Sequence, residues 1–275
     1  MIRLDSICFG YKKKPIFKDF SLHIGPGESV LITGINGVGK TTLLRLMSGV
    51  LFPRSGRIIY ADSLGKEPRA KIGFISDKTN LYENLTLEQA IRFHSSVYGI
   101  ANFDSTLIRH ARLDTNQKIA SLSRGQKLIF HLNLILAARP EILLVDEVIH
   151  NLDVVLREMF LTRLLEIMEE NQITLVMVNL NFHDIEKIPQ RVLLLKDNRI
   201  ALDEPLDVLK ARVKKLATAR ELKGLPVLFR REFEDGFEYY IYPFEEHLLS
   251  GIRGKIIDLN LHDIIKALIG GEYAL

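Results

Sequence analysis

Hydrophobic residues along the chain follow two different spacings, which predict strands and helices in alternation. Four short apolar runs lack a polar alternate face: "SVLITGI", "EILLVDE", "ITLVMVNL" and "RVLLLK". Strands of this kind are typical of a parallel sheet that is covered on both sides. Between them lie runs with helical spacing, such as "TTLLRLMSGVL" and "VLREMFLTRLLEIMEE". The alternation predicts an α/β domain with crossover helices.

Three segments depart from this alternation. The opening "MIRLDSICFGYKKKPIFKDFSLHIGPGE" predicts an amino-terminal antiparallel β subdomain, and residues 79–138 predict an inserted α-helical lobe. After Leu209, "LKARVKKLATARELKG" predicts a basic linker helix, and "VLFRREFEDGFEYYIYP" predicts a hairpin that turns at Asp235-Gly236. The final "NLHDIIKALIGG" predicts a helix capped by Asn260. We therefore expect one domain over residues 1–215 and a small C-terminal α+β extension over 216–275.

Composition narrows the class of protein. The chain has 275 residues, of which 47% are hydrophobic and 26% charged, as in ordinary globular proteins. A net charge of +3 is too small to indicate nucleic acid as a partner. The single cysteine, Cys8, excludes an internal disulfide and suits a reducing compartment. The opening residues do not fit a signal peptide, and no apolar run approaches the ~18 residues that span a bilayer. We therefore expect a cytoplasmic protein that reaches a membrane only through a partner.

A glycine-rich loop stands between the predicted strand "SVLIT" and the predicted helix "TTLLRLMSG". Gly34-Ile-Asn-Gly-Val-Gly-Lys-Thr41 fits the pattern G-x-x-x-x-G-K-[ST], which belongs in this strand–loop–helix context. Glycines allow successive backbone N–H groups to face phosphate oxygens at a helix amino terminus. The alternative is a loop that only caps a helix. The residues predicted to bind the nucleotide here are Gly34, Asn36, Gly37, Val38, Gly39, Lys40, Thr41 and Thr42, with Thr41 also a ligand of Mg²⁺.

Two adjacent carboxylates end the apolar run "EILLVDE". Such a strand delivers Asp146 to the carboxyl edge of the sheet, where open α/β sheets bind ligands. Asp146 suits support of Mg²⁺, and Glu147 suits a base that orients and polarises the attacking water. A charged exit from a strand into a loop is the alternative explanation. Together with the glycine-rich loop, the pair predicts a phosphate-cleaving site.

The stretch "SLSRGQKLIFHLNLILAARPEILLVDE" resembles the nucleotide-binding subunit of an ATP-binding cassette (ABC) transporter. The family signature LSGGQ occurs as Leu122-Ser-Arg-Gly-Gln126, upstream of a helix and the acidic strand. The resemblance covers about residues 1–210 and implies that Ser123, Gly125 and Gln126 contact the γ-phosphate of ATP held by another subunit. Taken alone, "LSRGQ" is equally well a helix cap.

Three further positions match family motifs, and a fourth departs from the family pattern. Asp153 in "HNLD" resembles the D-loop contact across a dimer, and His183 in "NLNFHDIEKI" resembles the switch histidine of the catalytic site. Tyr11 matches the aromatic residue that stacks on adenine, and Asp77 stands where the family has the Q-loop glutamine. Our hypothesis is that Asp77 approaches the metal through water, which makes Thr41, Asp77 and Asp146 the predicted metal ligands. A lone histidine is more often structural, and Tyr11 could be an ordinary packed or surface tyrosine.

The resemblance also implies what the protein does and with which partners. It implies an ATPase that uses ATP and Mg²⁺, and that closes head to tail as a homodimer or a heterodimer with a second ABC subunit. A transmembrane permease subunit would hold it at the cytoplasmic face of the cell membrane. The segment "LYENLTLEQAIRFHSSVYGI" and the tail "LNLHDIIKALIGGEY" resemble multidrug and ABC-2 type exporters, which favours export and leaves import open.

Two other kinds of protein are alternatives to the transporter subunit. A soluble ABC protein of translation or DNA repair would use ATP as a conformational switch. Such proteins usually carry two cassettes or a long coiled-coil insertion, and this sequence has neither. A P-loop kinase or GTPase lacks support, since no N-K-x-D stretch occurs and "LSRGQ" before "ILLVDE" would have no explanation.

Overall fold

The computed structural model describes residues 1–12, 14–76, 78–179, 182, 185–249 and 254–270. The chain divides into two compact units, one of Met1–Ile32 with Gly39–Asn179 and one of Thr33–Val38 with Leu180–Leu275. The division into a domain of residues 1–215 and an extension of residues 216–275 stays a prediction. No helix in the described part of the chain is long and apolar enough to cross a bilayer.

The first unit holds an antiparallel sheet, a parallel sheet and a helical lobe. Its elements are β1 (Ile2–Tyr11), β2 (Lys14–Ile24), β3 (Ser29–Thr33), α1 (Lys40–Met47), β4 (Ser55–Tyr60), β5 (Ile72–Ser76), α2 (Leu87–Tyr98), α3 (Thr106–His110), α4 (Arg124–Ala137), β6 (Ile142–Asp146), α5 (Val154–Asn171) and β7 (Thr174–Val178). The antiparallel sheet has the order β2-β1-β4, and parallel strands lie in the order β5-β6-β7-β3. Every residue of β3, β6 and β7 is buried, which confirms the prediction from their continuous apolar runs.

The predicted helical lobe is confirmed by α2, α3 and α4. Its core packs Leu87, Ile108 and Phe130 from these three helices, with Ile119 from the segment before α4. Two of the helices begin with capping boxes, in which a Ser or Thr and a Gln three residues later satisfy each other's backbone N–H groups. Local sequence therefore fixes where α2 and α4 begin, and burial of their apolar faces holds them together.

The second unit is built from a hairpin and a small α+β assembly. Its elements are β8 (Arg191–Lys196), β9 (Arg199–Pro205), α6 (Leu206–Arg212), β10 (Lys214–Thr218), β11 (Val227–Phe233), β12 (Gly236–Ile241), β13 (Lys255–Asp258) and α7 (Leu261–Ile269). The strands β8 and β9 pair antiparallel, and the later strands form a sheet of order β11-β12-β10-β13. As predicted, Asn260 caps α7, its Oδ1 accepting from the Asp263 N–H at 2.9 Å.

The predicted basic linker helix is wrong beyond Arg212. The chain there forms β10, in which Leu216 is buried against Tyr239 and Ile241 of β12. Lys215 on this strand pairs with Glu238 at 3.0 Å, which compensates its charge. The run "KKLAT" fits both a helix and a strand, and pairing with strands far along the chain decides between them.

The predicted β11–β12 hairpin is confirmed, with its turn one residue earlier than expected. Phe233 pairs with Gly236, so Glu234 and Asp235 form the two-residue loop. Gly236 opens β12 with a φ of 150°, and a Cβ there would lie 2.5 Å from the Thr218 carbonyl oxygen. Glycine is therefore needed at the first position of the strand.

Candidate active site

The glycine-rich loop has a backbone that only glycine accommodates at its two ends. Gly34 and Gly39 have φ angles of 142° and 108°, in the region that side chains rarely adopt. A Cβ on Gly34 would lie 2.3 Å from the Leu195 carbonyl oxygen, and one on Gly39 would lie 2.9 Å from both Ile16 and Phe17. Gly37 also has a positive φ, of 81°, with open space around it. The first and last glycines thus serve close packing, while the middle one faces outward.

A turn of the second unit supports the middle of this loop. The Asn198 side chain, from the connection between β8 and β9, donates from Nδ2 to the Val38 carbonyl oxygen at 3.0 Å. The Val38 side chain is buried, whereas Asn36 is exposed. Sequence reasoning did not identify Asn198. The "KDNRI" stretch signals a tight turn between strands, but nothing in it indicates what the asparagine contacts.

The amino terminus of α1 suits an anion. Gly39 is its N-cap and provides no side-chain cap, and the first turn contains no acidic residue. The N–H groups of a first helical turn have no acceptor within the helix, so Lys40, Thr41 and Thr42 present donors at the positive end of the helix dipole. The residues present therefore fit a phosphate chain.

The side chain of Lys40 is only 5% exposed, and its Nζ lies 3.8 Å from Oε1 of Glu147. Burial lowers the pKa of Lys40, while the carboxylates of Glu147 and Asp146 act in the opposite direction. An ammonium group has three N–H donors and a full positive charge, both of which suit phosphate oxygen atoms. Lys40 is thus a buried cation at the start of α1, beside the carboxylates of Glu147 and Asp146.

Thr41 and Asp146 form a pair of oxygen ligands beside this cation. The Thr41 hydroxyl donates from Oγ1 to Asp146 Oδ1 at 3.0 Å. Burial raises the pKa of Asp146 above its ordinary value, and the hydrogen bond from Thr41 offsets part of that rise. Mg²⁺ is held in nucleotide sites by one or two protein oxygens together with phosphate oxygens, so this pair fits the ion. The structure brings together two of the three predicted metal ligands, while the third, Asp77, lies outside the described residues.

Glu147 differs from the adjacent Asp146 in conformation and exposure. It has a φ of 49°, uncommon for a residue other than glycine, and its backbone N–H donates to the Val178 carbonyl oxygen at 3.0 Å. Its side chain is 34% exposed, whereas Asp146 is buried. The end of β6 therefore places one carboxylate inside the site and the next at its solvent-facing edge, where a water molecule can reach it.

The signature residues cap α4. The Ser123 Oγ accepts from the Gln126 N–H at 3.2 Å, and the Ser123 N–H donates to Gln126 Oε1 at 2.9 Å. Gly125 is buried in the first turn. A hydroxyl that accepts one hydrogen bond still has its own hydrogen to donate, and Ser123 is exposed. Capping and contact with a second subunit's ATP are therefore compatible, and the second role stays a prediction.

Two further predicted contacts lie at the ends of elements. Asp153 caps α5, its Oδ1 accepting from the Leu156 N–H at 2.9 Å. Tyr11 ends β1, is 43% exposed and packs edge-on against Phe9 at 5.2 Å. Phe9 pairs with Phe17 in the hairpin formed by β1 and β2, and Phe17 lies against Gly39. Tyr11 therefore lies at the end of this hairpin that is nearer to the glycine-rich loop. At 43% exposure, part of the Tyr11 ring is open to contact with a base.

Two predicted site residues, Asp77 and His183, lie outside the described residues. The preceding Ser76 ends β5 and pairs in register with Asp146 of β6.

Comparisons with known proteins agree with this geometry. A family model described as ABC transporter matches residues 17–150. The thiamine import ATP-binding protein ThiQ of Yersinia pseudotuberculosis is 33% identical over 76% of this chain and 92% of its own length. The ABC transporter ATP-binding protein YtrB of Bacillus subtilis is 30% identical over 80% of this chain and 77% of its own. A dimeric ATP-binding cassette solved with ADP and Pi in a post-hydrolysis state is 25% identical, with a TM-score of 0.63 over 75% of this chain and 99% of that one.

Proposed function

We propose a mechanism from the premise that this chain belongs to the ABC transporter family, as an ATP-binding subunit that hydrolyses ATP with Mg²⁺. Subunits of this family form dimers and work with membrane permeases. The proposal is that ATP closes two cassettes head to tail and that hydrolysis releases them. The observation that supports it most is the convergence of the buried Lys40, the Thr41–Asp146 pair and Glu147 at the start of α1 and the end of β6.

Each of these residues has a distinct task in the proposed reaction. The loop amides and Lys40 bind the β- and γ-phosphates, and Thr41 and Asp146 hold Mg²⁺, which neutralises charge on the phosphates when bound. When Lys40 binds phosphate oxygens, these oxygens compete with Glu147 for the positive charge of Lys40. Glu147 is then available to accept a proton from the attacking water.

The other half of the site is proposed to come from a second subunit, either another copy of this chain or a different ABC subunit. The free hydrogen of Ser123 and the amides at the start of α4 would donate to the γ-phosphate of the facing cassette. Asp153 would contact that cassette across the interface. Tyr11 is proposed to stack on adenine, Asp77 to approach Mg²⁺ through water, and His183 to sense the γ-phosphate.

Location and direction of transport are also proposals. A permease partner would hold the subunit at the cytoplasmic face of the cell membrane, with no role for nucleic acid. Export is inferred from the resemblance of residues 81–100 and 259–273 to exporter subunits. The thiamine import relative gives that direction no support. Copurification of a solute-binding protein with the membrane partner would assign import and overturn export.

Dependence of turnover on protein concentration tests the shared site. Because each nucleotide needs two subunits, ATP turnover per molecule should fall as dilution converts dimers into monomers. Turnover that stays constant in a monomer-only range would contradict the proposal. Recovery of the protein from its native membrane should then yield a multispanning polypeptide. Ribosomes or DNA in its place would support the alternative, a soluble ABC ATPase that acts as a switch.

A further inference from the structure

The hairpin of β1 and β2 extends beyond the paired part of the strand beside it. The register of β1 with β4 ends at the pair Cys8–Ser55. β1 itself continues to Tyr11, which pairs with Lys14 of β2. Arg54 immediately precedes β4, and its backbone N–H donates to the Cys8 carbonyl oxygen at 2.7 Å. Arg54 therefore lies at the boundary where β4 stops supporting the end of β1.

The side chain of Arg54 continues the bonding to β1 beyond this boundary. Its Nη2 donates to the Gly10 carbonyl oxygen at 3.0 Å and also to the Lys12 carbonyl oxygen. These two residues are the chain neighbours of Tyr11. A guanidinium group stays charged, and a charged donor makes a stronger hydrogen bond to a carbonyl oxygen than a neutral donor does. Arg54 thus holds the backbone on both sides of Tyr11.

The setting of Arg54 indicates that these bonds, rather than packing, account for its position. The side chain is exposed, so it adds little to the hydrophobic core. Lys12 and Lys14 are exposed at the same end of the hairpin, and a further positive charge beside them is unfavourable. Lys12 also has a φ of 49°, which is uncommon for a residue other than glycine. The two bonds to carbonyl oxygens offset these costs and hold one conformation of the hairpin end.

The backbone that Arg54 holds determines where the Tyr11 ring lies. Tyr11 and Phe9 are two positions apart in β1, so their side chains share one face, and their rings pack edge-on with centroids 5.2 Å apart. Phe17 lies opposite Phe9 on that face, and a Cβ on Gly39 would lie 2.9 Å from the Phe17 ring. The Tyr11 ring is thus on the face of the hairpin that contacts the glycine-rich loop.

We propose that Arg54 is a positioning residue for ATP, which holds the Tyr11 ring where it stacks on adenine. Attraction between stacked rings depends on their separation and offset, so a hairpin end that moves loses part of this attraction. Arg54 touches no part of the nucleotide in this proposal and acts through the backbone beside Tyr11. The inference rests on the proposed function, because it requires the contact between Tyr11 and the base.

A double-mutant cycle between Arg54 and Tyr11 tests this inference. Calorimetric titration of the full protein with Mg²⁺-ADP measures affinity for the same base without turnover. Tyr11→Leu should weaken ADP binding about tenfold, the usual effect of removing one aromatic ring from a base. Arg54→Met keeps a long unbranched side chain and removes the donors, so it should weaken ADP binding about three- to tenfold. In the Tyr11→Leu background, Arg54→Met should cause no further loss, because the ring through which Arg54 acts is missing.

A matched control separates positioning from charge. Arg57→Met removes the same charge from an exposed arginine of β4 and should leave the affinity for ADP unchanged. Equal losses from Arg54→Met with and without the Tyr11 ring would overturn the proposal, because they would show an effect of charge or of stability. Arg54→Gln is shorter by two bonds and replaces Arg54→Met in the cycle if that variant does not fold.

Two further outcomes distinguish the role of Arg54 from that of Tyr11. Normal ADP affinity in Arg54→Met, together with weaker binding in Tyr11→Leu, would overturn the role of Arg54 and leave the adenine contact standing. Normal ADP affinity in Tyr11→Leu would refute the adenine contact itself, and the role of Arg54 with it.

Discussion

The ammonium nitrogen of Lys40 lies 3.8 Å from Oε1 of Glu147, which links the start of α1 to the residue after β6. Lys40 is buried and Glu147 reaches solvent, so the contact joins the interior of the site to its edge. Opposite charge beside Lys40 favours its charged form, which burial disfavours. The proposed phosphate-binding cation and the proposed base are thus electrostatically coupled.

Glu147 is the proposed base of the reaction. Glu147→Gln removes the proton acceptor with little change of shape, so ATP binding should persist while turnover falls by about 10²- to 10⁴-fold. Phosphate release measures turnover, and size-exclusion chromatography should detect an accumulated ATP-bound dimer. Glu141→Gln changes a glutamate just before the same strand and should keep wild-type turnover. Retained wild-type turnover in Glu147→Gln would refute its assignment as the base.

Lys40 is expected to determine the affinity of the protein for ATP. Lys40→Ala removes the buried positive charge from the start of α1 and should abolish detectable ATP binding. Equilibrium binding of a fluorescent ATP analogue provides the measurement. Lys18→Ala removes an exposed lysine from β2 and should bind ATP normally. Normal ATP affinity in the Lys40 variant would contradict the phosphate-binding role of the loop.

Thr41 tests the proposed Mg²⁺ ligands. Thr41→Ser keeps the hydroxyl that donates to Asp146, whereas Thr41→Val keeps the shape and loses the oxygen. The valine variant should need at least about tenfold more Mg²⁺ for half-maximal ATP turnover, and the serine variant should resemble the wild type. Mg²⁺ titrations of turnover measure the difference. Equal Mg²⁺ requirements in both variants would show that the hydroxyl is no ligand.

Ser123 tests whether the signature serves more than helix capping. Ser123→Asp retains an N-cap acceptor but removes the free O–H and adds negative charge towards a facing γ-phosphate. We expect it to keep the thermal stability of the protein and lose ATP turnover. Thr86→Ala disrupts the equivalent capping box of α2 and should cost about 1 kcal/mol of stability while turnover persists. If Ser123→Asp turns over ATP like the wild type, capping is the whole role of Ser123.

His131 gives a prediction about acid stability. Its folded pKa of about 4 lies below the ordinary value of 6.5, so the unfolded chain binds the proton more tightly. The stability contribution of the neutral ring is complete above about pH 6.5 and is lost as the pH falls towards 4. The loss amounts to about 2–3 kcal/mol at pH 4.5. Between pH 7 and 4.5, the unfolding free energy of His131→Gln should therefore fall by about 2–3 kcal/mol less than that of the wild type. Urea denaturation at the two pH values measures the difference. His110→Gln is the exposed control, and an equal pH dependence in His131→Gln and the wild type would contradict the assignment.

Sequence alone determined the features that depend on short-range chemistry. Continuous apolar runs predicted β3, β6 and β7, and capping and turn residues predicted α7 and the β11–β12 hairpin. The glycine-rich loop and the adjacent carboxylates predicted which residues would meet at the site. These signals are readable because periodicity, caps and turns are set by residues a few positions apart.

Only the tertiary structure decided which distant groups share an environment. It turned "KKLAT" from a predicted helix into a strand, brought Asn198 to the Val38 carbonyl, and set Lys40 beside Glu147. It also lowered the pKa of His131 by burial, although its position in the sequence shows only an ordinary helical histidine. Strand pairing, burial and pKa shifts depend on neighbours far apart in the chain, and local sequence patterns carry no information about those neighbours.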